Sequence, residues 1–285
     1  MYFGFHASAA GGVDQAPERA AAEGAEVFQF FSRSPRGGPA PKLTKEIVAN
    51  WQVELKKHAI QATYIHAPYY INFASTNDKI RYGSIAVIRD ELERGSTLGV
   101  KGLMTHLGSS KDVGEKEGTK KTIEGITKVL TGYKGTTKFL LENAAGAGAV
   151  IGDTMEELSA IIKGVEKNLK KKNVIGLCWD TQHGFASGYD LRTKSAIVTW
   201  MKKFEALIGL ERLVLFHAND SKIEFNGHKD RHDDIGFGLL GESTFKLLIQ
   251  NPKLKKIDMI LETPAEKVEY VDTIKLFKKF RDVRR

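Results

Sequence analysis

Histidines and carboxylates of the kind that bind divalent metal ions recur at nine positions in the sequence. They are His66, His106, Glu142, Asp180, His183, His217, Asp230, His232 and Glu262. Five imidazoles and four carboxylates gathered in one place would be very costly to bury without partners. Divalent cations would cancel that charge, and a mixed set of nitrogen and oxygen ligands suits zinc, manganese or iron. Because nine ligands exceed the shell of one tetrahedral ion, the set predicts two or three metal ions.

The elements that must position these residues follow a regular alternation. Short apolar runs alternate with longer stretches of helical period, a pattern typical of a parallel α/β sheet. We predict eight strands, over residues Tyr2–His6, Val27–Phe31, Ala62–His66, Gly102–His106, Lys138–Glu142, Val174–Asp180, Arg212–His217 and Asp258–Glu262. We predict helices over Pro17–Glu23, Thr44–His58, Asp78–Thr97, Gly118–Leu130, Met155–Lys170, Ser195–Leu207, Ser243–Ile249 and Val268–Phe280.

Eight β/α units with no linker between them predict one domain over residues 1–285, an α/β TIM barrel. A doubly wound open sheet is the alternative, but no G-x-G-x-x-G turn follows the first strand. The third to eighth strands end at His66, His106, Glu142, Asp180, His217 and Glu262. Since the carboxyl ends of barrel strands converge, we expect a metal site at this face of the barrel. The remaining candidates, His183, Asp230 and His232, fall on the loops that follow.

Four other residues of reactive type have structural interpretations. His6 closes the first strand with no acidic partner nearby in sequence, so we interpret it as a structural residue. His58 belongs to a helix end and His228 to a loop. Cys178 lies inside an apolar strand and is expected to be a small buried hydrophobe.

Charge and composition restrict the classes of partner and compartment. The chain of 285 residues has 43 basic and 35 acidic side chains, a net charge of +8 that favours polyanionic partners such as nucleic acid. No run approaches the roughly 20 apolar residues of a membrane span, and the first twelve residues do not have the features of a secretory signal. A single cysteine rules out an intrachain disulfide. We therefore expect a cytoplasmic protein with no membrane association.

The motifs around the candidate ligands resemble those of the endonuclease IV family of apurinic/apyrimidinic (AP) endonucleases. They occur in the family's order from residue 6 to residue 264. They are H-A-S-A-A-G-G at 6–12, H-A-P-Y at 66–69, H-L-G-S at 106–109, E-N-A-A-G at 142–146, D-T-Q-H-G-F-A-S-G-Y-D at 180–190, H-A-N-D-S-K at 217–222, D-R-H at 230–232, G-F-G at 236–238 and E-T-P at 262–264.

This resemblance implies a TIM barrel with about three zinc ions, with manganese as a possible occupant of one site. By analogy with the family, His66 and His106 bind the first zinc, and Glu142 bridges it to the second. Asp180, His217 and Glu262 complete the second site, while His183, Asp230 and His232 hold the third. The catalytic roles fall to Glu142, Asp180 and Glu262.

The resemblance also assigns two DNA-binding residues. The segment 32–38 corresponds to the family's first DNA-recognition loop, in which Arg36 matches an arginine that enters the base stack. Tyr69 matches an aromatic residue that presses into the minor groove beside the lesion. The loop departs from the family at Gly37, which has no polar side chain, and at Gly38, where many members have Trp.

The implied activity is hydrolysis of the phosphodiester 5′ to an abasic site in duplex DNA, leaving a 3′-hydroxyl and a 5′-deoxyribose phosphate. We expect a monomer that needs no nucleotide cofactor. Two alternatives remain open. One is a xylose-isomerase-like sugar isomerase or epimerase with a smaller Glu/Asp/His/Glu metal site, and the other is a non-catalytic DNA-damage-binding protein.

Overall fold

Eight parallel strands form the centre of the molecule in a computed structural model that describes residues 1–283. They are β1 (Phe3–Phe5), β2 (Val27–Phe30), β3 (Ala62–His66), β4 (Gly102–Thr105), β5 (Lys138–Glu142), β6 (Ile175–Asp180), β7 (Leu213–His217) and β10 (Asp258–Leu261). A two-residue antiparallel pair, β8 (Asp220–Ser221) with β9 (His232–Asp233), lies between β7 and β10 in the chain. Each barrel strand matches its predicted bounds to within one residue at either end. The last two residues of the expected domain lie outside the described range.

The strands close into the predicted barrel. Their order in the sheet is β1-β10-β7-β6-β5-β4-β3-β2, with every neighbouring pair parallel. The two ends of this sheet meet where His6 and Gln29 form a parallel bridge, and the Ala7 amide donates to the Gln29 carbonyl oxygen at 2.8 Å. Gly4 permits this approach, because a Cβ there would overlap the carbonyl oxygen of Val27. The TIM-barrel prediction is therefore confirmed.

Nine helices occur within residues 1–283. They are α1 (Ala16–Ala22), α2 (Lys45–Lys57), α3 (Asp78–Leu98), α4 (Glu115–Leu130), α5 (Met155–Leu169), α6 (Thr181–Ala186), α7 (Lys194–Leu207), α8 (Glu242–Ile249) and α9 (Tyr270–Asp282). Threonines cap the start of two of these helices: Thr44 Oγ1 accepts from the Ile47 amide and Thr154 Oγ1 accepts from the Glu157 amide. Over the same residues, no helix has both the length and the apolar character needed to cross a membrane.

Three predicted segments need correction. Helix α4 begins three residues before Gly118, because Glu115 and Glu117 occupy its first turn and favour the positive helix terminus. Helix α9 covers Tyr270–Asp282, two residues later at each end than predicted. The residues after β6 were expected to form a loop but instead form the six-residue helix α6. A helix this short has too few residues to show a hydrophobic period.

The inside of the barrel is filled by one side chain from each strand except β1, which has Gly4 at this level. The seven residues form one buried cluster: Val27, Tyr64, Met104, Leu140, Cys178, Leu215 and Ile260. Cys178 is fully buried, and desolvation raises the pKa of its thiol to about 12, so it is the inert hydrophobe expected from the sequence. A second, larger core lies between the barrel and its helices and includes Phe28, Trp51 and Phe139. The inner cluster is the floor on which the site is built.

Candidate metal centre

A ring of polar side chains lies directly above the apolar floor of the barrel. Side chains on one face of a strand recur every second residue. Two residues beyond the floor, the eight strands or the residues next to them contribute His6, Gln29, His66, His106, Glu142, Asp180, His217 and Glu262. Six of these eight are ligands expected from the sequence, and the ring lies at the carboxyl ends of the strands as predicted. These residues lie at the same end of the barrel because side chains alternate between the two faces of each strand.

The first group consists of His66, His106 and Glu142, whose potential ligand atoms all lie within 4.8 Å of one another. Glu142 is fully buried, and its Oε2 lies 3.4 Å from His66 Nε2 and 3.6 Å from His106 Nε2. Among the described residues this oxygen has no hydrogen-bond partner. Burial opposes ionisation of Glu142, but the imidazoles of His106 and His217 outweigh it and hold the pKa of the carboxyl well below its usual range. An ionised oxygen with no hydrogen-bond donor, facing two imidazole nitrogens, is an arrangement that a cation would complete.

The second group shares Glu142 with the first and adds Asp180, His217 and Glu262. His217 Nδ1 lies 2.8 Å from Glu142 Oε1 and 3.1 Å from Glu262 Oε2. Asp180 is fully buried, and its Oδ2 accepts a hydrogen bond from Asn219 Nδ2 at 2.6 Å. The group therefore offers three carboxylates and one imidazole around a common centre.

The third group lies at the rim and consists of Asp180, His183 and His232, again within 4.8 Å of one another. Asp230, the expected third ligand, is close to both imidazoles: its Oδ2 is 3.4 Å from His183 Nε2 and its Oδ1 is 3.3 Å from His232 Nε2. The Asp230 side chain is 56% exposed, unlike the other carboxylates of the centre. Asp180 Oδ2 lies 3.7 Å from His232 Nε2, and Asp180 is a member of the second group as well. It therefore connects the second group to the third, as Glu142 connects the first to the second.

In the third group, electrostatics favour a protonated His183 beside an ionised Asp230 when no metal is present. Burial by itself would lower the pKa of His183, but the carboxylates of Asp180 and Asp230 raise it to about 10. Burial raises the pKa of Asp230, but the His183 and His232 imidazoles bring it down to about 2. These groups hold opposite charges in the metal-free protein.

The donor set fits divalent metal ions. It contains imidazole nitrogens and carboxylate oxygens, and the chain's one thiol, Cys178, belongs to the floor below it. Such a set suits catalytic zinc, or manganese and iron, rather than a structural zinc held by thiolates. Three groups connected by Glu142 and Asp180 can hold more than one ion.

Two buried aspartates that the sequence analysis missed organise the segment with Asp230 and His232. Asp220 accepts hydrogen bonds from the backbone amides of Gly236, Leu240 and Gly241. Asp234 accepts from the amides of residues 265–267. Their partners are backbone atoms remote in sequence, so residue type alone did not point to them. The H-A-N-D-S-K string, which includes Asp220, was the signal available.

His6, interpreted from the sequence as a structural residue with no acidic partner nearby in the chain, has an acidic neighbour in the fold. Its Nδ1 lies 3.8 Å from Glu262 Oε1 and 3.0 Å from Gln29 Nε2, and His6 belongs to none of the three ligand groups. The acidic partner is 256 residues away along the chain and comes close because β1 pairs with β10 in the sheet. His58 and His228 lie where the sequence placed them, at the end of α2 and in a loop.

The two expected DNA-binding residues lie on neighbouring loops outside the ring. Arg36 is exposed, and Tyr69 is 65% exposed with its ring edge-on to Phe31. The Tyr69 amide donates to the Pro35 carbonyl oxygen at 3.3 Å, which joins the two loops. Neither residue is within the three ligand groups.

The base of the loop that contains Arg36 is anchored to helix α3. Arg33 is buried and forms ion pairs with Asp90 and Glu91. Arg94 donates to the carbonyl oxygen of Ser32 at 2.8 Å and to that of Pro41 at 2.7 Å, so it holds both ends of the segment. Of the two arginines in the loop, Arg36 is therefore the one available to a partner.

Comparison with known proteins agrees with this geometry. The family described as "Xylose isomerase-like TIM barrel" matches residues 17–280. A probable endonuclease 4 of Aquifex aeolicus is 37% identical over 267 residues, covering 93% of this chain and 92% of the relative. The corresponding protein of Nitrosopumilus maritimus is 36% identical over 268 residues, with coverage of 93% and 94%. The crystal structure of endonuclease IV from Thermus thermophilus is 30% identical, covers 98% of both chains and superposes with a TM-score of 0.85. The chain belongs to the endonuclease IV family.

Proposed function

We propose that this protein is a DNA-repair endonuclease that hydrolyses the phosphodiester 5′ to an abasic site in duplex DNA, with a centre of about three zinc ions. The observation that carries the proposal is the set of three adjacent ligand groups joined through Glu142 and Asp180. Two-metal and three-metal arrangements suit phosphodiester hydrolysis, in which charge develops on several oxygens at once. The net charge of +8 is the sign that a nucleic-acid partner requires.

We assign one set of residues to binding the metal ions and another to binding the DNA. His66, His106 and Glu142 hold the first ion, the group around His217 and Glu262 holds the second, and His183, Asp230 and His232 hold the third. When bound, such ions lower the pKa of water and stabilise the charge of the reacting phosphate. Glu142 and Asp180, as carboxylates shared between groups, would offset the repulsion between neighbouring cations.

Recognition of the lesion falls to the exposed side chains on the two joined loops. An abasic site lacks a stacked base, so the duplex is inexpensive to bend and the sugar to extrude at that point. Arg36 and Tyr69 would fill the vacated space and hold the bend, as wedge side chains do in other bent complexes. The products would be a 3′-hydroxyl and a 5′-deoxyribose phosphate, released by the monomeric enzyme without a nucleotide cofactor.

The competing enzyme hypothesis is a sugar isomerase or epimerase. Its Glu/Asp/His/Glu site corresponds to the second group alone, Glu142, Asp180, His217 and Glu262. That hypothesis leaves the imidazoles of the first and third groups without a role. Since each of those imidazoles has a nitrogen 3.4–3.8 Å from an oxygen of Glu142 or Asp180, we favour the endonuclease.

The deciding experiment is incision of a duplex with one tetrahydrofuran abasic analogue, with elemental analysis on the same preparation. We expect cleavage at the 5′ side of the analogue, none in the undamaged duplex, and loss of cleavage on treatment with a chelator. Tight binding of the damaged duplex by fully metal-loaded protein, without incision, would instead identify a damage-binding protein. Epimerisation of a ketose without incision would identify the sugar enzyme.

A further inference from the structure

The Gln29 carboxamide lies between two of the candidate ligands. Gln29 is fully buried on β2. Its Nε2 lies 2.6 Å from Glu262 Oε1, and its Oε1 lies 2.7 Å from His217 Nε2. A third contact, at 3.0 Å, joins Gln29 Nε2 to His6 Nδ1. Both the nitrogen and the oxygen of the Gln29 carboxamide therefore contact other members of the ring of polar side chains.

The chemistry of the partners determines which way this amide faces. An ionised carboxylate only accepts hydrogen bonds, so the nitrogen of Gln29 must face Glu262. The amide oxygen then faces His217, and because an amide oxygen only accepts, His217 must donate its Nε2 hydrogen to it. In the neutral ring, that leaves the lone pair of His217 on Nδ1. This is the atom that lies 2.8 Å from Glu142 Oε1 and 3.1 Å from Glu262 Oε2.

We propose that Gln29 is a positioning residue of the metal centre, which selects the tautomer of His217 and orients Glu262. By occupying Oε1 of Glu262 and Nε2 of His217, it turns the free oxygen and the free nitrogen toward the same point in the second group. The inference rests on the proposed function in that it takes this group to bind a metal ion. Outer hydrogen bonds of this kind orient ligands and strengthen binding in metal sites generally.

The position of Gln29 explains why such a residue is needed here. β2 itself offers no ligand to the three groups, and it lies at the seam where the barrel closes. A hydrophobic residue at the same place would leave the Nε2 hydrogen of His217 buried without an acceptor. The ring would then be free to turn, and its Nδ1 lone pair would no longer be fixed.

The test compares zinc binding by the full-length wild type and by Gln29→Met, which keeps the length of the side chain but has no donor for Glu262 and only a weak sulfur acceptor for His217. With zinc concentration set by a competing chelator, we expect at least one of the about three ions to bind at least about tenfold less tightly in the variant. Thermal unfolding of both metal-free proteins separates a positioning role from a purely structural one. A structural role would lower the melting temperature without changing zinc affinity. Gln52→Leu on α2, whose amide contacts only the Leu98 carbonyl oxygen in the described structure, serves as the matched control and should bind zinc as the wild type does.

A second measurement needs no variant. In the zinc-loaded wild type, nitrogen-15 NMR of the imidazoles should show His217 protonated on Nε2. A His217 ring protonated on Nδ1, or zinc affinity in Gln29→Met equal to that of the wild type, would overturn the inference while leaving the proposed function intact. A wild-type chain that binds no zinc would contradict both. The two failures are thus distinguishable.

Discussion

Asp180 caps the helix on which His183 lies. Its Oδ1 accepts the His183 backbone amide at 2.8 Å, and its Oδ2 faces the ligand groups. One carboxylate therefore fixes the start of α6 and takes part in two candidate metal sites. Because His183 is three residues into that helix, the cap also determines where the imidazole of the third group is placed.

Because Asp180 takes part in two candidate metal sites, we expect Asp180→Asn to reduce both metal binding and incision strongly. The amide oxygen can still cap α6, but the negative charge shared by the second and third groups is lost. We expect fewer than three bound ions and incision reduced at least 100-fold, the scale of a lost electrostatic contribution at a reacting centre. Elemental analysis and incision kinetics measure the two effects.

The control for a lost cap is Thr193→Ala. Thr193 Oγ1 accepts the Ala196 amide at the start of α7 and takes no part in the ligand groups. Removing such a cap costs about 1 kcal/mol of stability and should leave incision unchanged. Normal metal content and incision in Asp180→Asn, which keeps the cap oxygen but loses the charge, would show that Asp180 is a capping residue alone.

Glu142→Gln tests the bridge between the first and second groups. The substitution preserves the volume but removes the anion that faces His66, His106 and His217. We expect incision to fall by at least about two orders of magnitude and metal content to drop below about three ions per chain. Glu166→Gln is the matched control, because it breaks a part-buried ion pair with Arg212 outside the centre. Near-normal turnover in Glu142→Gln would mean that the bridge is misassigned.

The double variant Arg36→Ala/Tyr69→Ala separates binding from chemistry. Neither side chain belongs to a ligand group, so metal content and folding should be retained. A stacked contact is worth about 1–3 kcal/mol, and about 1.4 kcal/mol corresponds to tenfold in affinity. We therefore expect affinity for abasic duplex to fall roughly tenfold or more, with much less change for undamaged duplex, in an equilibrium binding assay.

Two outcomes would revise that assignment. Equal weakening on both duplexes would make Arg36 and Tyr69 general phosphate contacts, and no weakening would remove them from the interface. Tyr2→Ala, which removes an exposed tyrosine at the amino-terminal end of β1 and so at the opposite mouth, controls for loss of an aromatic side chain.

Metal binding should release protons from the third group. In the metal-free protein the pKa of His183 is raised to about 10, so the ring is protonated at pH 7.5. A metal ligand must be the neutral imidazole, so zinc displaces that proton. Calorimetry in buffers of different ionisation enthalpy should show at least about one proton released per ion in this site. Asp230→Asn removes one of the carboxylates that raise the His183 pKa and should reduce the number released.

The raised pKa of His183 also predicts how the stability of the metal-free protein depends on pH. The pKa of His183 is higher in the folded state than in the unfolded state, so the folded state binds the extra proton. Its stabilising effect is complete below about pH 6.5 and is lost as the pH rises through about 10. Thermal unfolding of the metal-free protein should show this decline, and a melting temperature that rises over the same interval would contradict it.

Strand ends and ligand types could be predicted from the sequence because both follow short-range patterns. A ligand-type residue at the end of each of six apolar runs, such as Glu142 after β5, is visible without any tertiary contact. The contacts of His6 and Gln29 could not be predicted because their partners, His217 at the end of β7 and Glu262 just after β10, are 188 or more residues away along the chain. The roles of Asp220 and Asp234 were not predicted because they accept hydrogen bonds from backbone amides. Every residue except proline has such an amide, so the sequence does not show which ones are the partners. Helix α6 was missed because six residues are too few to show a period.

Arg94 holds both ends of the segment that contains Arg36, since its guanidinium donates to the carbonyl oxygens of Ser32 and Pro41. Ordering a free backbone residue costs about 1–2 kcal/mol, and a loop that must be ordered on binding subtracts this from its contact energy. With its base already fixed to α3, the loop has only its tip left to order when it meets a damaged duplex. An outer helix that supplies none of the proposed DNA contacts thereby contributes to affinity through the conformational entropy of a neighbouring loop.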